Sequence, residues 1–268
     1  MKHVHSRENP LFKMLHRLAT SSRERREHRA ALLEGPHLVE AFALHGGEAE
    51  VLAASESGMS RMEVAALFED TPARRRAVLA DRLFGEVTQI ETPVGILAWI
   101  NVPDPGPIPT QPADCLLLEE IQDAGNLGSI LRSAAAAGVR EIYLSRGSAF
   151  AWSPKVLRAG QGAHFALGIH EGAPLAEVAA RFAGEVIATE LGAAESLFAL
   201  DLRGPVAWIF GNEGAGISAA LASQARRRVS IPMPGTAESL NVAAAAAVCL
   251  FERVRQQCAM SGAHHPAP

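Results

Sequence analysis

Apolar positions recur along this chain with two periods, and the switches between them mark its elements. In NPLFKMLHRLAT, residues 9–20, Leu11, Met14, Leu15 and Leu18 fall at helical spacing. Pro10 stands in the first turn, where a helix tolerates it. A second short helix is predicted in GPHLVEAFALHGG, stopped by Gly46 and Gly47. VLAA near 51–54 and GILAWI at 95–100 read as strands, so the opening hundred residues form a small α/β unit. VPDPGPIPTQP, residues 102–112, holds five prolines and one glycine. Proline fixes φ and removes a donor, so this stretch is predicted to be a linker between domains.

Beyond the linker the alternation is regular. Strands are predicted at CLLLEE, REIYLS, FALGI, EVIATE, PVAWIFG and RVSIP. Between them lie a loop running to Asn126, the helices LGSILRSAAAAG, SPKVLRAG and APLAEVAARFAG, and a short helix from Ser218. Ser153 and Pro154 form the start of the second of these as N-cap and first residue. An alanine-rich helix ends the pattern. Strands alternating with helices mean a mostly parallel sheet covered on both faces. In such sheets ligands sit at the carboxyl ends of the strands. The expected division is a domain over 1–101, the linker 102–112, a domain over 113–258, and a disordered tail over 259–268.

The chain has 268 residues and is 48% hydrophobic, enough for a sizeable core and one or two domains. No apolar run reaches the roughly 18 residues a membrane span requires, and MKHVHSRENP contains no apolar signal core. Cys115, Cys249 and Cys258 form no CxxC pair, so neither a disulfide framework nor a metal site is expected. A reducing cytoplasm is the expected location.

A net charge of −4 argues against a nucleic-acid partner, but its distribution argues the other way. Residues 1–30 carry eight Lys or Arg against three Glu, with Arg23, Arg25 and Arg26 in one cluster and Arg74, Arg75 and Arg76 in another. Clustered cations are the footprint of a phosphate-backbone binder and equally of a solvated helix face. Charge alone leaves both open.

Three loops at predicted strand ends carry unusual polar groups. In IQDAGNLGSILRSA, glycines flank Asn126, and Arg132 lies on a helix otherwise lined by Leu131 and alanines. That arginine is either a snorkelling cation or part of a site. In IFGNEGAGIS an apolar strand runs into Gly211, Asn212, Glu213, Gly214 and Gly216, and such glycines let backbone N–H groups approach a ligand. In IPMPGTAESLN, Ser239 is the expected N-cap of the last helix, which leaves Asn241 unexplained because asparagine disfavours a helix interior. Dinucleotide and NTP chemistry is poorly matched. Gly211 to Gly216 reads GxxGxG rather than GxGxxG, Gly160 to Phe165 follows a helix, and no GxxxxGK[ST] loop exists.

Taken together, NxGxxxR at Asn126–Arg132, FGNEGxG at 210–216 and IPMxGxxxSLN at 231–241 resemble the three motifs of the SpoU-type (SPOUT) RNA ribose 2′-O-methyltransferases, in order and spacing. The resemblance covers about 114–256. The first hundred residues resemble, more loosely, the ribosomal-protein-like substrate-binding domain of that family. It implies a C-terminal α/β domain with a trefoil knot, S-adenosylmethionine as cofactor, a homodimer, and RNA, ribosomal RNA above all, as partner. By the same resemblance Arg132 is the catalytic arginine, and Asn126, Glu213, Ser239 and Asn241 are the other polar residues of the active site. The cofactor cradle would use Thr189, Leu191, Gly192, Gly211, Ile231, Met233 and Leu240. Arg158 matches an arginine that binds RNA phosphate, although Gly160 stands where the family's usual serine is expected. The alternatives are a tRNA ribose methyltransferase and a non-catalytic RNA-binding or ribosome-assembly protein on the same fold.

Overall fold

The structure, a computed structural model, describes residues 2–261. Two compact units share the chain. One holds the residues up to Asp104 together with Trp152–Phe165, the other Pro105–Ala151 together with the residues from Ala166 onward. A contiguous division does not describe Trp152–Phe165. Its helix, Pro154–Gly160, buries Val156 and Leu157 and packs against a strand of the first unit, Ala30–Glu34. Residues 102–114 contain neither helix nor strand.

In the first unit β1 (Lys2–Val4), β2 (Ala30–Glu34), β3 (Val51–Ser55), β4 (Arg76–Leu79) and β5 (Ile96–Asn101) form one sheet in the order β1-β4-β3-β5-β2. β4 is parallel to β1 and β3, whereas β5 is antiparallel to β3 and β2. The helix Pro10–Thr20 starts where its pattern indicates: the Asn9 side chain accepts from Leu11 N at 2.9 Å and Pro10 takes the first position. It buries Phe12, Leu15 and Leu18 against Leu32, Val51, Ala53 and Leu97 of the sheet. β2 is the element that composition hides most. Its sequence, AALLE, favours a helix, yet all five residues are buried within the sheet, so tertiary packing overrides local preference.

The second unit is built on β6 (Cys115–Leu118), β7 (Glu141–Leu144), β8 (Gly168–Glu171), β9 (Glu185–Thr189), β10 (Glu195–Ser196), β11 (Val206–Phe210) and β12 (Arg227–Ser230). Their order is β10-β12-β9-β11-β6-β7-β8, and every pairing is parallel. The central strands CLLL and VAWIF are buried throughout, as a sheet covered on both faces requires. One face packs on Leu175, Val178, Ala179 and Phe182. The helices Ala124–Ala136 and Val242–Ser261 pack against each other, and their many alanines permit that close approach. FALGI is not a single strand: Ala163–Ala166 forms a 3-10 turn and β8 begins at Gly168.

Two helix starts differ from the sequence reading, and both matter for function. The helix predicted from Leu127 begins at Ala124, because the Asp123 side chain caps it by accepting from Asn126 N at 2.8 Å. Asn126 therefore stands in a helical first turn, not a loop. The last helix is capped by Asn241, not Ser239. Asn241 Oδ1 accepts from Ala243 N at 2.9 Å and Ala244 N at 3.3 Å, which places Ser239 two residues outside the helix. This helix continues to Ser261, past the expected start of the tail; the remainder of that tail lies outside the described residues.

From β6 the chain builds outward through β7 and β8, then returns to the other side of β6 with β9 and inserts β11 between them. The strand order therefore reverses between β6 and β11, where the carboxyl ends of an open parallel sheet leave a crevice.

Candidate active site

Beyond β11 the chain makes a tight hairpin. Asn212 N donates to Gly216 O at 2.9 Å and Gly216 N returns a bond to Asn212 O at 2.8 Å. The Asn212 side chain holds the hairpin closed, its Oδ1 accepting from Gly214 N at 2.9 Å and Ala215 N at 3.0 Å. Its Nδ2 donates to Glu120 O at 3.0 Å, tying the loop to the end of β6. Glu119 adds a second tie, accepting from the backbone and hydroxyl of Ser218, both at 2.7 Å. Gly211 must lack a side chain, since a Cβ there would lie 2.3 Å from Gly216 O. Sequence reading left Asn212 and Glu119 without roles. For Asn212 the visible signal was only a short polar residue beside glycines, and Glu119 carried no such signal.

This scaffold presents Glu213 to two asparagines from distant parts of the chain. Asn126 Nδ2 donates to Glu213 Oε1. Asn241 Nδ2 donates to Asn126 Oδ1 at 2.9 Å and approaches Glu213 Oε1 at 3.4 Å. The cap fixes the orientation of the Asn241 amide: Oδ1 must face the helix, so Nδ2 must face the other two residues. Asn126, Glu213 and Asn241 thus close a hydrogen-bonded ring over the point where the strand order reverses.

The other two candidate catalytic residues are not joined to that ring. Arg132 stands six residues beyond Asn126 on the same helix, about 9 Å along the axis. It is exposed and has no hydrogen bond or ion pair among the described residues. Ser239 is exposed in the loop before the cap.

Beside the ring lies a cavity of about 1260 Å³. The segment after β9 lines it with Thr189, Leu191 and Gly192, and the β11 loop with Gly211 and Glu213. The segment after β12 adds Ile231, Met233, Ser239, Leu240 and Asn241. The resemblance implied S-adenosylmethionine, and these walls suit it. Apolar side chains alternate with glycine backbone, which accommodates a flat adenine while main-chain groups serve its polar edge. Among the described residues no group of three or more His, Cys, Asp or Glu is placed to hold a metal ion.

The basic residues divide into exposed and structural groups. Arg23 is 88% exposed, 3.6 Å from Glu27, and Arg26 is exposed. Arg25, expected on the same solvent-facing surface, is 7% exposed instead. Its Nη1 donates to the carbonyls of Leu18 at 2.5 Å and Ala19 at 3.2 Å, closing the end of the preceding helix. The cluster at 74–76 is also largely engaged. Arg74 pairs with Glu48 and Glu50, and Arg76 donates to the carbonyls of Phe68, Glu69 and Thr71. Arg158 is half-buried, and its Nη1 is buried without a partner. No helix among the described residues is long and apolar enough to cross a membrane.

Comparison with known proteins bears directly on these features. Residues 114–251 match the SpoU rRNA Methylase family. An uncharacterised tRNA/rRNA methyltransferase of Synechocystis sp. is 34% identical, over 96% of this chain and 95% of its own. The 23S rRNA (guanosine(2553)-2′-O)-methyltransferase RlmP of Bacillus subtilis is 33% identical, over 94% of this chain and 98% of its own. Among solved structures, the SpoU methyltransferase AviRb of Streptomyces viridochromogenes in complex with AdoMet superimposes with a TM-score of 0.83 at 27% identity, covering 93% of this chain and 98% of that one. The matched region spans all three motif loops, and the relatives align along nearly the full length: the chain belongs to the SpoU rRNA Methylase family.

Proposed function

We propose that this protein transfers the methyl group of S-adenosylmethionine to a ribose 2′-hydroxyl of ribosomal RNA, acting in the cytoplasm as a homodimer with the knotted C-terminal domain of its family. The observation that carries the reading is the ring of Asn126, Glu213 and Asn241, which joins the three motif loops beside a cavity with walls suited to the cofactor. The 2′-O-methyltransferase activity of the Bacillus relative and the AdoMet-bound state of the Streptomyces one support the reaction type.

Thr189, Leu191, Gly192, Gly211, Ile231, Met233 and Leu240 would hold the cofactor. It supplies a methyl group made electrophilic by the adjacent sulfonium. The protein's task is to place the 2′-oxygen in line with that methyl, which by itself removes roughly 7–11 kcal/mol of barrier. Arg132 carries the remaining burden. A guanidinium presents a fork of N–H donors and no acceptor, so Arg132 acts here as a cation and donor rather than as a base. It holds the phosphate next to the reacting ribose through two parallel bonds and steadies negative charge developing on the 2′-oxygen, whose proton is lost to solvent. A lysine lacks that fork and should substitute poorly. Asn126, Glu213, Asn241 and Ser239 orient the ribose and fix the loops around Arg132. Arg158, with Arg23 and Arg26 further out, contacts RNA phosphates. Arg132 is exposed and has no hydrogen bond or ion pair among the described residues, which leaves its guanidinium available to the substrate.

Ribose-methylation mapping of total RNA from cells with and without the gene tests the reading, together with transfer assays on the purified protein. One ribosomal nucleotide should lose its 2′-O-methyl group. Arg132→Ala should abolish transfer while leaving cofactor affinity within about twofold. Normal turnover in that variant would remove Arg132 from the reaction, and a change confined to tRNA would reassign the substrate.

A further inference from the structure

The cavity wall has a charge pattern that the three motifs do not account for. Four charged residues line it: Glu190, Glu213, Arg228 and Glu238. Glu213 is engaged by the two asparagines of the ring. Arg228 is the one cation on the wall among the described residues. Its Nη1 lies 3.5 Å from Glu190 Oε2, and the two side chains are 53% and 51% exposed.

The backbone explains why these two residues face the cavity. Along β12, Arg227 and Arg228 point to opposite sides because side chains alternate in a strand. Arg227 is engaged by Glu185 and Glu195. Arg228 shares its side with Ser230, whose hydroxyl donates to Ala193 O at 2.9 Å. Glu190 N donates to Val229 O at 2.9 Å. The segment after β9 is therefore strapped across the end of β12, with a carboxylate and a guanidinium side by side at the cavity. An exposed ion pair of this kind contributes little to stability.

We propose that Arg228 and Glu190 form the subsite for the amino-acid end of the cofactor, Arg228 taking its α-carboxylate and Glu190 its α-ammonium. The inference rests on the cofactor reading given above. An α-amino acid carries its two opposite charges one carbon apart, so it can insert into an ion pair of this width and satisfy both members at once. The rest of the wall offers apolar surface, main-chain groups, neutral polar side chains and two further carboxylates, which leave a bound carboxylate without another counter-charge among the described residues. Specificity for the intact cofactor over its fragments would reside in this pair, outside the three motifs.

Calorimetric binding with three ligands tests the assignment without any turnover. S-Adenosylhomocysteine retains both charges, decarboxylated S-adenosylmethionine retains only the ammonium, and 5′-methylthioadenosine lacks both. Arg228→Gln should weaken S-adenosylhomocysteine about tenfold to a hundredfold, the usual range for a lost charged hydrogen bond. It should leave the other two within about twofold. Glu190→Gln should weaken the first two ligands and spare 5′-methylthioadenosine. Unchanged 5′-methylthioadenosine affinity also serves as the folding control. Equal losses for all three ligands in Arg228→Gln, or no loss for S-adenosylhomocysteine, would overturn the subsite. Failure of the unmodified protein to bind any of the three would instead overturn the cofactor reading.

Discussion

Asn241 Nδ2 donates to Asn126 Oδ1 at 2.9 Å across a sequence separation of 115 residues, while Asn241 Oδ1 caps the last helix. One side chain thus performs a structural task with its oxygen and a site-forming task with its nitrogen, and substitution can separate the two. Asn241→Ala removes both. It should cost about 1 kcal/mol of stability, as N-cap losses do. Turnover should also fall, on the order of a hundredfold, because the ring no longer holds its geometry. Asn241→Ser keeps an oxygen for the cap but offers no amide donor. It should melt close to the unmodified protein yet show nearly the same loss of methyl transfer. Denaturant melts paired with transfer assays check both; a serine variant with normal turnover would reduce Asn241 to a cap alone.

Gly211 tests the hairpin that presents Glu213. In Gly211→Ala the new Cβ would meet Gly216 O at 2.3 Å, and that oxygen belongs to backbone already bonded to Asn212. No side chain can rotate away to relieve the contact, so the hairpin must open. We expect a loss of about 1–3 kcal/mol from overpacking, together with at least tenfold weaker binding of S-adenosylhomocysteine, because the same glycine lines the cavity. Thermal melts and calorimetry provide the measurement. Unimpaired binding would mean that the cavity wall tolerates a displaced hairpin.

Much of this arrangement was legible in the sequence, for identifiable reasons. The strands β6, β7, β9 and β11 are short apolar runs bounded by polar loops, and burial on both faces writes itself into such runs. Asn126 and Glu213 stood out as polar residues beside glycines, and Asn241 because asparagine disfavours the helix interior in which the sequence pattern places it. What escaped notice depends on partners remote in sequence. β2 reads as a helix until the sheet surrounds it. The capping role of Asn241 was hidden because Ser239, an equally good cap by type, stands two residues earlier. Arg25 looks identical to Arg23 and Arg26 along the chain, and only the fold turns it inward.

That contrast between neighbouring arginines is itself testable. Arg25→Ala removes the guanidinium donor from the carbonyls of Leu18 and Ala19, the latter keeping its bond from Gln89 Nε2, and removes a charge that interacts with buried Glu34. It should destabilise the protein by about 2–3 kcal/mol, in the range of charged hydrogen bonds. Arg23→Ala, 88% exposed, should change stability by less than about 0.5 kcal/mol. On RNA the order reverses. Arg23→Glu should lower affinity and flatten the dependence on salt by about one unit of logarithmic slope, whereas an unaltered slope would confine that helix to solubility. An Arg25→Ala variant with unchanged melting would refute its anchoring role.

The cysteines report on the helix that begins at Asn241. Burial pushes the Cys249 thiol up to about 12 from its ordinary 9.0. Burial, reinforced by Asp114 and Glu141, raises Cys115 as well. A thiol whose folded pKa is raised stays protonated while its unfolded counterpart ionises. Its stabilising contribution is therefore intact below about pH 9 and declines as pH rises from there toward 12. At pH 8 the buried Cys115 and Cys249 stay as thiols in the folded state, so alkylation in native buffer should mark exposed Cys258 and spare both. Any labelling of Cys249 must then pass through opening of the last helix. Because Asn241 caps that helix, Asn241→Ala should accelerate Cys249 labelling about fivefold, the equivalent of 1 kcal/mol in the opening equilibrium, while Asn241→Ser should not. Mass spectrometry of the alkylated peptides over time measures both rates. Equal rates in the two variants would show that the cap does not govern opening of the helix around Cys249.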